Sequence, residues 1–229
     1  MKILITGFSG FIGKYLIELL KQTTHELILL DISNGFDICD WEQIKHFVGL
    51  DAIIHLANLS FVPASYEQPK KFYESNYLST LNMLELCRIN HAKMIFFSSY
   101  VYGHPQYQPI DENHPIQAFN PYAQTKVICE SLCEGYNRDF HIPVTIFRPF
   151  NIYGKGQNPD FPSSSETTLR ATMMFSGTMI GSPLTSRTTW PNRFVCWRVV
   201  LVIVAEATSS FRPGSEGSLL EKISASRTS

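Results

Sequence analysis

A chain of 229 residues with 44% hydrophobic and 17% charged residues is long enough to bury a sizeable core, and its composition is that of an ordinary globular protein. A formal net charge of -1 gives no reason to expect nucleic acid or an anionic membrane as a partner. The five cysteines form no CxxC pair and show no histidine spacing suited to zinc, so no metal site is expected, and a reducing cytoplasmic setting fits them.

The first predicted element is a strand over 2–6, which follows Met1 so closely that no signal peptide is expected. Thr6-Gly7-Phe8-Ser9-Gly10-Phe11-Ile12-Gly13 leads from it into a helix over 11–21 with its apolar residues on one face. Gly7 can turn the chain tightly, Gly10 lets backbone approach a pyrophosphate, and Gly13 lets helix and strand pack closely. The helix N-terminus beyond offers free N–H groups and a positive dipole end to phosphates. Glycines between a strand and a helix are the context that marks a dinucleotide-binding turn.

The second strand, over 26–31, ends on Asp31, whose carboxylate can accept hydrogen bonds from the hydroxyls of an adenosine ribose. It would repel a 2′-phosphate, and no Arg or Lys stands between Asp31 and Asp40, so NAD is favoured over NADP. Asp40 either reaches the adenine amino group or is a solvated loop carboxylate.

A helix over 41–48, a strand over 51–57 and a long helix over 70–90 follow. A strand over 94–99, a helix over 121–140 and a strand over 144–148 complete the alternation. Strand and helix in this order predict an α/β, doubly wound parallel sheet (a Rossmann fold) with its ligand at the carboxyl ends of the strands. Ser98 and Ser99 end the fourth strand on that side, and strand alternation sends only one of the two hydroxyls into the site. Tyr122 and Lys126, four residues apart, share one face of the following helix. A phenol with a pKa of about 10 is a poor base near neutrality. A neighbouring ammonium, aided by an oxidised nicotinamide, would lower it and make Tyr122 a general base toward a hydroxyl and a general acid toward a carbonyl.

Composition breaks near Asp160. All ten tyrosines lie at or before Tyr153; no Asp follows Asp160, no Gln follows Gln157 and no His follows His141. Residues 1–161 hold nine Lys against three Arg, and residues 162–229 hold one Lys against six Arg. Few functional domains lose Asp, Tyr, His and Gln together, so two units are expected. Residues 1–157 form an NAD-binding domain. Residues 158–229 read as an incomplete or non-native C-terminal substrate subdomain, poorly ordered or out of its native reading frame, in which only 194–207 can pack as a buried strand or helix. The apolar run at 199–205 is too short to span a bilayer.

Over residues 1 to about 161 the chain resembles the extended short-chain dehydrogenase/reductase family, in particular its NAD-dependent nucleotide-sugar epimerases and dehydratases. The resemblance rests on TGxxGxxG at 6–13, DAIIHLA at 51–57, Asn76 with Thr80, Asn82 and Glu85, SSYVYG at 98–103, PYAQTK at 121–126 and RPFNIYGKGQ at 148–157. It implies a catalytic hydroxyl at Ser98, five residues before Gly103, with Ser99 as second choice beside the substrate, and catalytic Tyr122 and Lys126. Implied cofactor contacts fall on Gly7, Gly10, Phe11, Ile12, Gly13, Asp31, Asp40, Leu56, Ala57, Asn76, Lys126, Pro149 and Phe150, and Asn151 would touch the sugar nucleotide. A homodimer through the two long helices is implied as well. Family dehydratases place a carboxylate just after the catalytic hydroxyl, and Ser99-Tyr100-Val101 has none. The implied reaction is therefore 4-epimerisation of a nucleotide-diphosphate sugar, of the UDP-glucose/UDP-galactose kind, through a transient 4-keto sugar. A 4-keto-sugar reductase and a cofactor-binding fragment without turnover are the alternatives.

Overall fold

The computed structural model describes residues 1–108, 110–111, 113–149, 152 and 156–157, together with the backbone of four short strands between 172 and 189. Five parallel strands build the main sheet: β1 (Lys2–Thr6), β2 (Glu26–Leu30), β3 (Ala52–His55), β4 (Lys93–Phe97) and β5 (Val144–Phe147). Their spatial order is β2-β1-β3-β4-β5. The chain thus leaves β1 to one side and returns to its other side, so the sheet has its switch point between β1 and β3. That is where the loops after two strands diverge and leave a crevice.

Strand periodicity divides the core. Ile3 and Ile5 point to one face, where Leu16 and Leu20 of α1 (Phe11–Leu20) pack against them. Leu4 points to the other, into a cluster with Met83, Leu84, Cys87, Cys129 and Cys133. These residues come from α4 (Pro69–Asn90) and α5 (Pro121–Phe140). Burial on both faces is why the strands read as continuous apolar runs rather than alternating ones. Cys87, Cys129 and Cys133 are buried free thiols of this core.

Two helices differ from expectation. Helix α2 covers only Trp41–Ile44 instead of 41–48. The Ile44 carbonyl, which the Val48 N–H would have used in a longer helix, accepts instead from the Phe47 N–H at 3.1 Å, a tighter turn that ends the element. Helix α3 (Val62–Glu67) was not expected, although Pro63 in its first turn is a helix-start signal.

The backbone pieces β6 (Thr172–Met173) and β9 (Thr188–Thr189) pair antiparallel, as do β7 (Gly177–Met179) and β8 (Ser182–Leu184). The stretch 194–207, the one part of the C-terminal segment expected from sequence to pack, lies outside the described residues.

Candidate active site

The glycine turn follows from backbone geometry. Gly7 has φ of +71°, a region that side chains rarely adopt, and a Cβ there would stand 2.6 Å from the Ala57 nitrogen. A Cβ on Gly13 would stand 2.5 Å from the Gly7 carbonyl oxygen and 2.6 Å from the Phe8 Cα. No atom can fill those places. The turn is pinned by the Gly7 N–H donating to the Leu30 carbonyl at 2.9 Å, and α1 begins without a side-chain cap or an acidic residue in its first turn. A helix start of this kind is suited to an anion.

The carboxylate of Asp31 closes the next side. It accepts from the Ser9 hydroxyl at 2.8 Å, the Ser9 N–H at 3.2 Å and the Ser33 N–H at 2.9 Å. Partial burial alone would raise its pKa, but the hydrogen bonds from Ser33 and Ser9 outweigh this and hold the carboxyl below its usual range. It is thus a charged acceptor at neutral pH.

A cleft of about 1470 Å³ runs along the carboxyl ends of the strands. Gly7, Gly10, Phe11, Ile12, Gly13, Asp31, Leu56 and Ala57 line it at the phosphate-loop end. Ser98, Ser99, Tyr122, Lys126 and Pro149 line it at the other. Phe150 and Asn151 lie outside the described residues.

Tyr122 and Lys126 are presented by α5. Asn120 caps this helix by accepting from the Ala123 N–H at 2.7 Å, and Pro121 sits in its first turn. Lys126 is 2% exposed; its ammonium donates to the Phe97 carbonyl at 2.6 Å and stands 5.0 Å from the Phe96 ring centre and 5.9 Å from that of Tyr122. Burial pushes its pKa down to about 8. Burial raises the Tyr122 phenol above its ordinary range and the favourable influence of the Ser99 hydroxyl only partly offsets this, so here the neighbouring ammonium does not leave Tyr122 a stronger acid than a free phenol. Ser98, 4% exposed, carries a hydroxyl oxygen with no partner among the described residues.

Both serines line the cleft, which corrects the expectation that alternation would turn one away. The reason is that β4 ends at Phe97, so strict alternation stops just before them.

Two of the residues expected to touch the cofactor lie off the cleft wall. Asp40 does not line the cleft; its carboxylate caps α2 by accepting from the Glu42 N–H at 3.0 Å and the Gln43 side chain at 3.0 Å. The sequence carried this signal, an Asp three residues ahead of a Gln at a helix start. Asp37 and Ile38 occupy the cleft wall in its stead. Asn76 is fully buried and does not line the cleft; it is bonded to Leu59 and Thr125. Leu59 and Tyr100 also line the wall: Leu59 lies outside every sequence motif, and Tyr100 lies within SSYVYG without a residue-level role being assigned to it there.

A doubly wound parallel sheet with a glycine turn at its switch point, and a Tyr-Lys pair across the cleft, is the architecture of a dinucleotide-binding fold. The chain belongs to the NAD dependent epimerase/dehydratase family, whose profile matches residues 3–182. It is 33% identical over 176 residues to a putative UDP-glucose 4-epimerase of Methanocaldococcus jannaschii, covering 69% of this chain and 58% of that one. It is 31% identical over 176 residues to GDP-6-deoxy-D-mannose reductase of Pseudomonas aeruginosa, covering 72% and 56%. The structure superposes on the UDP-glucose 4-epimerase of Thermus thermophilus, solved in complex with NAD, with a TM-score of 0.65 at 28% identity, covering 69% of this chain and 58% of that one. The chain thus spans somewhat over half the length of these relatives. Among the described residues no helix is long and apolar enough to cross a membrane, and no cluster of His, Cys, Asp or Glu could hold a metal ion.

Proposed function

We propose that residues 1–157 bind NAD and that the cleft serves the 4-epimerisation of a nucleotide-diphosphate sugar. The observation that carries this reading is one of placement. Ser98, with its unpartnered buried hydroxyl, lies with Tyr122 and Lys126 at one end of a cleft whose other end is a glycine turn closed to any side chain. The residues fit the dinucleotide. The Gly7–Gly13 turn and the start of α1 would hold its pyrophosphate, Asp31 its adenosine ribose, and Lys126 its nicotinamide ribose. Asp37, which lines the cleft, would accept from the adenine amino group in place of Asp40. When bound, NAD supplies the hydride acceptor and a positive charge beside the phenol.

Ser98 then donates to or accepts from the sugar oxygen at C4, orienting it. Tyr122 takes the proton of that hydroxyl as the sugar is oxidised and returns it when the 4-keto sugar is reduced on its other face. Lys126 keeps two donors beyond its bond to Phe97, and as a buried cation it favours the phenolate. Asn151 is proposed to touch the sugar nucleotide. Tyr77, Ile89, Ile128 and Phe140 are 38–52% exposed on α4 and α5 and support a homodimer through these helices.

A 4-keto-sugar reductase is the second reading. Burial leaves the resting phenol protonated, the state that donates to a carbonyl, and the similarity to a GDP-sugar reductase is nearly as close as that to an epimerase. The change of composition after Asp160 supports a third, in which NAD binds but the sugar does not.

The test is a titration of the full chain, first with NAD by fluorescence and then with UDP-glucose, following the absorbance of reduced nicotinamide. Epimerisation predicts NAD binding, transient reduction and recycled cofactor, all but the binding lost in Tyr122→Phe. Stoichiometric consumption of reduced cofactor with a 4-keto sugar identifies the reductase, and NAD binding without sugar binding identifies the fragment. No binding of NAD at all overturns the proposal.

A further inference from the structure

Asn76 has no hydrogen-bonding capacity left unused on its amide nitrogen. Its Oδ1 accepts from the Leu59 N–H at 2.9 Å, while Nδ2 donates to the Leu59 carbonyl at 3.1 Å and to the Thr125 hydroxyl at 2.9 Å. Thr125, 1% exposed, gives its own proton to the Tyr122 carbonyl at 2.7 Å. Leu59 and Tyr122 both line the cleft. One buried amide is therefore clamped between a wall of the cleft and the helical turn that carries the phenol.

A second branch reaches the same residue from the phosphate loop. Thr80 spends its only hydroxyl proton on the Asn76 backbone carbonyl at 2.8 Å, so His55 Nε2, 3.3 Å from the Thr80 oxygen, must be the donor there. In the neutral ring His55 Nδ1 then accepts from the Thr6 hydroxyl at 2.7 Å, and the Thr6 oxygen accepts from the Ala57 N–H at 3.2 Å. Burial and the charge of Lys126 push the His55 pKa down to about 3, which keeps the ring neutral and the direction of every bond fixed. The Thr6–Ala57 corner and the start of α5 are joined through the core by side chains whose protons all have a place to go. Networks of this kind resist partial rearrangement, because any displaced member strands a buried polar group.

We propose that Asn76 is a positioning residue that couples occupancy of the dinucleotide cleft, through Leu59 and Thr125, to the placement of the Tyr122 phenol. The proposal rests on the reading that the cleft binds NAD. A ligand that fixes Leu59 fixes the amide, and the amide fixes the turn from Tyr122 to Thr125. This gives Asn76 a role without contact to the cofactor.

The experiment uses the full chain carrying tyrosine labelled with ¹³C at Cζ, with the Tyr122 resonance assigned through Tyr122→Phe. Thr125→Val keeps the side-chain volume and removes both of its hydrogen bonds, and Thr125→Ser keeps both. The wild type and Thr125→Ser are expected to show an NAD-induced change in the Tyr122 resonance and in its pH midpoint. Thr125→Val is expected to bind NAD within about fivefold of the wild type, the size of one neutral hydrogen bond, and to lose at least half of that change. A Thr125→Val protein that retains the whole NAD-induced change overturns the proposal. If Thr125→Val does not fold, Asn76→Asp is scored by the same criterion, since it keeps the acceptor for Leu59 and loses both donors. A wild type that shows no NAD binding counts against the cofactor reading itself, and the proposal falls with it.

Discussion

The glycine-turn end of the cleft and its Tyr122–Lys126 end are held by different means. At the first, backbone occupies the space where side chains would be, and the shape is fixed by what cannot be added at Gly7 and Gly13. At the second, buried polar groups hold one another, and the shape is fixed by what cannot be removed from around Lys126, Asn76 and Thr125. The first end is therefore sensitive to added volume, and the second to lost partners or altered charge.

The largest expected effect comes from adding volume. Gly13→Val would drive side-chain carbon into the Gly7 and Phe8 backbone, which cannot yield as a flexible side chain could. NAD affinity should fall at least about a hundredfold, and stability by about 3 kcal/mol or more; isothermal titration and urea unfolding measure the two. An affinity within threefold of wild type would show that the turn is softer than its geometry.

A loss of comparable size is expected where a partner is removed at the other end. Arg148, just beyond β5, is clamped to Glu130 of α5 by bonds of 2.7 and 3.0 Å and to the Tyr102 hydroxyl by one of 3.1 Å. The side chains are 11% and 3% exposed. Arg148→Met strands a buried carboxylate, and unfolding should show a loss of about 3–5 kcal/mol. Replacing both partners by apolar residues should recover much of it. A single substitution that costs nothing would mean the pair is open to water.

A third prediction concerns pH. The His55 pKa lies at about 3 in the folded protein against 6.5 for a free imidazole side chain, so the unfolded chain binds the proton more readily. The contribution of the neutral ring is fully present above about 6.5 and is lost as pH falls through about 3. His55→Asn should flatten the decline of stability over that window, as urea midpoints at successive pH values would show. An unchanged slope would remove His55 from the account.

The smallest effects separate two neighbouring carboxylates. Asp37→Asn should weaken NAD binding about threefold with little change in stability. Asp40→Ala should leave NAD affinity within twofold and lower stability by about 1 kcal/mol, the usual cost of a lost helix cap. The reverse pattern would restore the assignment made from sequence alone.

That pair shows where the sequence was legible. The glycine turn and the Tyr122–Lys126 pair could be read because each is a local pattern, set by one turn and by one helical repeat. Asp31 stands in plain view because it directly follows a strand. The helix cap formed by Asp40 is hard to read because three carboxylates in ten residues look alike until the turn before α2 sets them apart. Its pairing with Gln43 was the missed clue. Asn76 was placed against the cofactor by resemblance, whereas its partners lie 17 and 49 residues away and only the folded chain brings them together. The raised phenol of Tyr122 was hidden for the same reason: spacing shows that a lysine is near, but not how deeply the ring is buried.

The most direct test is a crystal of this chain grown with saturating NAD. The account predicts pyrophosphate over the Gly7–Gly13 turn, ribose hydroxyls on Asp31, and the nicotinamide ring beside Tyr122 with Lys126 on its ribose. Dinucleotide bound elsewhere, or bound with its nicotinamide turned away from Tyr122, would contradict it.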